Sequence, residues 1–278
     1  MTVLEVLQAT TAYFKKHKIE SPRLNAEHLL AHVLGRKRIE LYLEFERVLT
    51  ESELAPLRHL VKRRSEGEPL QHLLGTVEFC GLTFLCDKRA MVPRPETEEL
   101  VEFLESEIRN PKSEILDVGT GTGVIALTLA MKFPEAEILA VDISNDALTL
   151  AQENAARLKL ADRVRFLKSN LLENVKGTFH LIIANLPYIS TQDCHTLSRE
   201  VSRDPAVALF ASARGDELVR QLIEQAPPYL RPAGMLALEI GIGQSEALSS
   251  ALAEKNYRDI SSKNDYSGVR RFLFARYG

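Results

Sequence analysis

The run from Glu114 to Met131 constrains this chain most. Ile115-Leu116-Asp117-Val118 has the character of a buried strand, Gly119-Thr120-Gly121-Thr122-Gly123 follows it, and Val124–Met131 reads as an apolar helix. Glycines let the backbone turn tightly and let a ligand come close to it. In an open α/β sheet, ligands bind just beyond the carboxyl ends of the strands. The spacing is G-x-G-x-G, not the G-x-G-x-x-G of a dinucleotide site, and no Gly-Lys-Ser/Thr follows to make a P-loop. Taken alone, the loop also suits a tight strand-to-helix turn that holds nothing.

The rest of the chain sets this loop in a sheet. From about residue 97, short apolar runs alternate with helical stretches. Strands are predicted at Glu114–Val118, Glu137–Asp142, Val164–Lys168, His180–Ala184 and Met235–Ile240, with helices between them such as Asp146–Leu158 and Asp216–Ala226. That alternation implies an α/β fold with a parallel, doubly wound sheet. Two last strands near Tyr257–Ser262 and Val269–Ala275 lie close enough in sequence to pair antiparallel at one edge.

Before residue 76 the pattern is helical only. Thr2 caps a first helix carrying Val3, Leu4, Leu7 and Phe14, and Ser21-Pro22 opens a second, which Gly35 stops. Ile39–Phe45 reads as a short third helix, and Thr50 with Glu53 forms a capping-box pattern before Leu54, Leu57, Leu60 and Val61. Residues 76–86 alternate like a β-hairpin around Gly81. The organisation expected is a small all-helical domain over residues 1–75, a hairpin linker over 76–90 and a larger domain over 91–278. A length of 278 residues suits one small and one large domain.

Composition narrows the function. The net charge of −3 argues against a general nucleic-acid binder. The clusters Arg36-Lys37-Arg38 and Lys62-Arg63-Arg64 read as solvated helix faces. Cys80, Cys86 and Cys194 form no C-x-x-C pair, which argues against a disulfide framework and against a zinc site. No apolar run is long enough to span a membrane and no leader is evident, so a cytoplasmic location is expected.

The second strand ends in Asp142, whose carboxylate can accept hydrogen bonds from both hydroxyls of a ribose. A nicotinamide cofactor would use the same acid, but it also sets a pyrophosphate on the helix N-terminus. S-adenosylmethionine has no phosphate and offers an amino-acid end to the loop instead. The fourth strand delivers Asn185-Leu186-Pro187-Tyr188, a set suited to holding a planar NH2 group. The Asn185 side-chain oxygen can accept one N–H and the Leu186 carbonyl the other. Pro187 fixes its own φ and biases Leu186 towards an extended conformation. Tyr188 offers a flat face for stacking. Such a site orients a poorly nucleophilic nitrogen towards a methyl donor and needs no strong general base. An ordinary strand-to-loop turn would also use Asn and Pro.

With these motifs the chain resembles the HemK/PrmC family, the release-factor glutamine methyltransferases. The resemblance covers nearly the whole chain. It runs through Glu68-Pro69-Leu70-Gln71, Glu78-Phe79, Pro93-Arg94-Pro95-Glu96-Thr97-Glu98, the Gly119–Gly123 loop, Asp142, the Asn185–Tyr188 box and Glu239-Ile240-Gly241 with Gly243-Gln244. It implies a class I S-adenosylmethionine-dependent methyltransferase fold behind a helical substrate-recognition domain, and no metal. It implies that Gly119, Thr120, Gly121, Thr122, Gly123, Asp142, Asn170, Leu171 and Asn185 hold the cofactor, and that Asn185, Leu186, Pro187 and Tyr188 carry binding and catalysis. The implied partner is a peptide-chain release factor, methylated on the glutamine of its Gly-Gly-Gln motif, with no direct nucleic-acid or membrane partner. Arg94–Glu98 would lie near the cofactor's entrance, or simply start a helix that Thr97 caps.

Three positions depart from the family pattern. Leu186 stands where a first proline is common, which also makes the box similar to that of ribosomal-RNA adenine dimethylases. Ser169-Asn170-Leu171 replaces a Ser-Asp-aromatic run, and the segment Asp204–Leu209 keeps only part of its pattern. Alternative substrates are therefore a ribosomal-protein glutamine, or an adenine amine in RNA or DNA.

Overall fold

The computed structural model describes residues 1–108 and 110–278, Thr196 by its backbone alone. The chain divides into two units. One comprises Met1–Thr76 with Ser198–Arg203, the other Val77–Leu197 with Asp204–Gly278.

The first unit is helical: α1 (Val3–Lys16), α2 (Pro22–Leu34), α3 (Glu51–Ser65) and α4 (Leu70–Leu74), with a 3₁₀ turn at Arg38–Leu43. Its core gathers Val3, Leu7, Phe14, Leu29, Leu30 and Leu41 from three of these elements. Thr2 and Glu5 form a reciprocal cap on α1, and Gly35 closes α2 in the left-handed region. Three expectations need correction here. Ser21 precedes α2 at φ +46° and makes no side-chain cap. The short helix after Ile39 is 3₁₀, so its residues are tightened into a turn. Arg64 is not solvated. Its Nε donates to Asn25 Oδ1 (2.7 Å), its Nη1 to the Glu68 carbonyl (2.9 Å) and its Nη2 to Glu200 Oε2 (2.6 Å), which fastens Ser198–Arg203 to the helices.

The second unit opens with the hairpin β1 (Thr76–Phe79) and β2 (Leu82–Leu85). The hairpin is packed, because Phe79 and Phe84 meet edge to face inside the core with Leu100 and Leu104. There follow α5 (Pro95–Glu107), β3 (Glu114–Val118), α6 (Val124–Lys132), β4 (Glu137–Asp142), α7 (Asn145–Arg157), β5 (Val164–Lys168), β6 (Phe179–Asn185), α8 (Ala206–Leu209), α9 (Glu217–Gln225), β7 (Leu230–Glu239), α10 (Ser245–Glu254), β8 (Tyr257–Asn264) and β9 (Arg270–Tyr277). The large sheet has the order β5-β4-β3-β6-β7-β9-β8. β3 to β7 pair parallel; β9 runs antiparallel between β7 and β8, so the sheet ends in β8 on one side and in β5 on the other. Apolar clusters cover both faces of the sheet, as strands buried on both sides require.

The chain turns back in the middle of the sheet. β3 pairs with β4 on one side and with β6 on the other, with Val118 opposite Val141 and Ala184. The strand ends at Gly119, Asp142 and Asn185 therefore lie side by side, at the position where such sheets bind ligands.

Ile183 is fully buried in β6, at the centre of this arrangement. Ile183→Ala should destabilise the second unit by about 2–5 kcal/mol, the usual cost of an emptied core position. A lowered urea midpoint with an unchanged m value would confirm it, and an unmoved midpoint would contradict the packing described.

Candidate active site

A cavity of about 310 Å³ opens beyond those strand ends. Gly119 leaves β3 at φ +77° and Gly121 follows at φ +56°, backbone that favours glycine. A Cβ on Gly119 would meet Leu186 Cδ2 at 2.9 Å, so the loop lies directly against the Asn185–Tyr188 segment. Gly119 and Thr120 each donate their N–H to the Val141 carbonyl, at 2.8 and 3.0 Å, which ties the loop to the adjoining strand.

Asp142 ends β4. The Gly121 N–H donates to its Oδ2 and the Ser144 N–H to its Oδ1, both at 2.9 Å. Burial pushes its carboxyl above the ordinary value, while the N–H groups of Ser144, Gly121 and Ile143 pull it back. A carboxylate has about four acceptor positions, so capacity remains for hydroxyls arriving from the cavity. Apolar contact beside it comes from Ile143, Ala147 and Leu171, which line the same space. Ile143 is half exposed and was missed in the sequence, although an apolar side chain left open just after a strand-end acid is a usable signal. The Asn170 Nδ2 donates to Glu173 Oε1 (2.8 Å), which leaves its Oδ1 as the acceptor on that rim. This set fits a nucleoside with a charged amino-acid tail. It has a hydroxyl-accepting carboxylate, apolar walls for a planar ring, and a glycine loop that a Cβ would obstruct.

The cavity is also lined by Asn185, Leu186 and Pro187. Thus Gly119, Thr120, Gly121, Thr122, Asp142, Asn170, Leu171, Asn185, Leu186 and Pro187 share one space. Gly123 and Tyr188 are not among its lining residues. A Cβ on Gly123 would meet Ala151 Cβ and Leu127 Cδ1 at 3.1 Å, so that glycine serves the packing of α6 on α7. Tyr188 sits near Glu239, Arg271, Glu96 and Arg94, and burial pushes its phenol up to about 12. Its carbonyl accepts from Gln244 Nε2 (3.3 Å), and Gln244 Oε1 accepts from the Gly241 N–H (2.8 Å), so the Glu239–Gln244 stretch supports the box from behind.

The Arg94–Glu98 stretch is taken apart by the fold. Arg94 is the residue before α5, and its Nη2 donates to buried Asp204 Oδ2 (2.5 Å), whose Oδ1 accepts from the Val92 N–H (3.2 Å). Glu98 accepts from the Cys80 N–H. Thr97 does not cap the helix. It lies in its first turn, lines the cavity, and donates from Oγ1 to Glu239 Oε2 (2.7 Å). Among the described residues no cluster of His, Cys, Asp or Glu could hold a metal ion, and no helix is long and apolar enough to cross a membrane.

Similarity to known proteins agrees with this geometry. Residues 5–75 match the family described as PrmC N-terminal domain and residues 95–210 the family described as methyltransferase small domain. The chain is 39% identical to the release factor glutamine methyltransferase of Rhodopirellula baltica, over 98% of this chain and 95% of that protein. It is 39% identical to that of Geobacter sulfurreducens (100% and 97%) and to that of Escherichia coli (93% of each). The chain belongs to the release factor glutamine methyltransferase family. It is an S-adenosylmethionine-dependent methyltransferase with the class I fold, as the sequence resemblance implied. Among solved structures, a ribosomal protein L11 methylase from Lactobacillus delbrueckii subsp. bulgaricus matches with a TM-score of 0.50 and 26% identity, over 66% of this chain and 79% of that one. A methyltransferase from Pyrococcus furiosus shares the fold at a TM-score of 0.56 and 19% identity, over 82% of this chain and all of that one.

Two buried acids behind the cavity make stability depend on pH. Asp117, on β3, accepts from Thr120 Oγ1 (2.7 Å) and from the Ala126 N–H (3.2 Å), and its Oδ1 has no partner among the described residues. Burial pushes its carboxyl from 3.8 to about 7, and pushes Glu239 from 4.5 to about 7. Across that window the folded chain keeps protons that the unfolded chain has released. The contribution of these two acids to stability should therefore fall as pH rises from about 4 to about 7 and level off above. Asp117→Asn keeps an acceptor for both donors and removes one titration. Urea midpoints at pH 5 and pH 8 should then lie closer together than in the unmodified protein.

Proposed function

We propose that this enzyme transfers a methyl group from S-adenosylmethionine to the side-chain amide nitrogen of the glutamine in the Gly-Gly-Gln motif of a peptide-chain release factor. The observation that carries the reading is the meeting of the Gly119–Thr122 loop, Asp142 and the Asn185–Pro187 segment around one cavity. Near-full-length identity of 39% to release factor glutamine methyltransferases supports the choice of substrate.

In this reading Asp142 takes the ribose hydroxyls, the Gly119–Thr122 loop receives the amino-acid end, and Asn170 and Leu171 border the adenine. When bound, the cofactor supplies an electrophilic methyl group on a sulfonium. The chain's own work is orientation. An amide lone pair is delocalised over the carbonyl, so the nitrogen is a poor nucleophile until it is held. Asn185 Oδ1 and the Leu186 carbonyl accept the two amide N–H bonds, which fixes the plane of the group and pulls electron density towards nitrogen. Leu186 is buried in the core beneath Gly119, so its main chain is anchored by packing where other family members have proline. Pro187 limits the remaining backbone freedom. The helical domain provides a protein-docking surface, since one exposed glutamine offers little to recognise.

Incubation with labelled S-adenosylmethionine and a purified release factor, followed by mass spectrometry, tests the reading. The methyl group is expected on the Gly-Gly-Gln glutamine and absent when that residue is alanine. Cofactor binding without transfer would instead direct the search to ribosomal-protein glutamines. Asn185→Ala should lower turnover at least ~10²-fold through lost orientation, with cofactor affinity largely kept. Asp142→Ala should weaken cofactor binding by ~1.5–3 kcal/mol, the range for a hydrogen bond to a charged group, measured by calorimetry.

A further inference from the structure

The Asn185 amide has two ends, and only one of them suits an incoming N–H. Oδ1 accepts, whereas the NH2 end would set donor against donor. A side-chain amide held by nothing else can present either end. Here the end is chosen from behind. Asn185 Nδ2 donates to Thr97 Oγ1 at 3.0 Å, and Thr97 Oγ1 donates to Glu239 Oε2 at 2.7 Å. Thr97 and Glu239 are both buried, and Glu239 lies directly opposite Asn185 in the pairing of β6 with β7.

A hydroxyl carries one proton, and an ionised carboxylate can only accept. The Thr97 proton therefore goes to Glu239, and the Thr97 oxygen can only accept from Asn185. The Thr97 oxygen thus holds the nitrogen end, and Oδ1 is left to the cavity that Asn185 lines. We propose that Thr97 and Glu239 are positioning residues for methyl transfer, forming a proton-ordered relay that keeps the Asn185 oxygen turned towards the substrate amide. This inference rests on the clamp reading of Asn185 and adds the reason why the clamp has one polarity. Glu239 is faced by Arg271 from β9, Glu96 from α5 and Tyr188 from the box, and burial raises its carboxyl to about 7. The relay is therefore set at pH 8.

The test uses the full chain at pH 8, with saturating S-adenosylmethionine and a release factor as acceptor. Thr97→Val keeps the shape of the side chain and removes both hydrogen bonds. It should lower kcat by about 10- to 100-fold, as expected for a misoriented catalytic group. KM for the release factor and Kd for the cofactor should stay unchanged, and Thr97→Ser, which restores the hydroxyl, should recover kcat. Should Thr97→Val fail to fold by circular dichroism, Thr97→Ala is read in the same way. Wild-type kcat without the hydroxyl, a loss carried by KM or Kd, or a serine variant as slow as valine would each overturn the relay. Asn185→Ala measured alongside separates the two readings. If it too retains full turnover the clamp falls, and if it alone is slow only the relay falls.

Discussion

The pairing of β3 with β6 is the interaction on which the site depends. Val118 lies opposite Ala184, so the residues that leave these strands, Gly119 and Asn185, emerge together. On its other side β3 places Val118 opposite Val141, which brings Asp142 to the same edge. A slip of one residue in either pair would turn every strand side chain to the opposite face. It would also separate the glycine loop from Leu186, which now approach so closely that a Cβ on Gly119 would meet Leu186 Cδ2 at 2.9 Å. Apolar clusters on both faces fix the register, and the register assembles the chemistry.

Much of this was legible in the sequence. β3, β4 and β5 have the ends expected of them: β3 and β4 are mostly apolar and buried, and β5, at an edge of the sheet, still carries Val164, Phe166 and Leu167. β6 to β9 and the helices α7 and α9 extend or shrink by a few residues, as element ends do. What local pattern could not supply was the partner of each polar side chain. Ser21 has the residue type of a cap but a left-handed backbone that turns it away. Arg64 sits in a basic run yet is buried, because Asn25 and Glu200, 39 and 136 residues distant in sequence, receive it. Thr97 looks like a helix-start residue and instead reaches Glu239, 142 residues on. Such long-range bonds leave no periodic trace.

Two of the three departures from the family pattern, at Leu186 and at Asn170-Leu171, have local physical accounts. A proline before Pro187 would stiffen the main chain covalently. Leu186 achieves anchorage by burial in the core, against the open face of Gly119. Asn170 lacks the charge of an aspartate, but Glu173 engages its nitrogen and so orients its oxygen outward. Leu171 follows at φ +46° with its side chain buried, and it contributes to the cavity wall without the flat face of an aromatic ring. In each case the acceptor or surface survives while the means of holding it changes.

The two most deeply buried acids behind the cavity follow one design. Asp117 receives the Thr120 hydroxyl and Glu239 receives the Thr97 hydroxyl, each at 2.7 Å, and neither carboxylate lines the cavity. Both threonines do line it. A buried carboxylate is costly unless it is hydrogen-bonded, and burial raises the carboxyl when the bonds are few. Here the cost yields definite proton positions. Above about pH 7, where these acids are ionised, a threonine whose proton is committed to one presents only an oxygen to whatever approaches it. On the proposed reading the site reacts a weak nucleophile, and fixed polarity of this kind is what orients it. The Glu239 carboxylate is kept one layer behind Asn185, whose neutral amide lines the cavity.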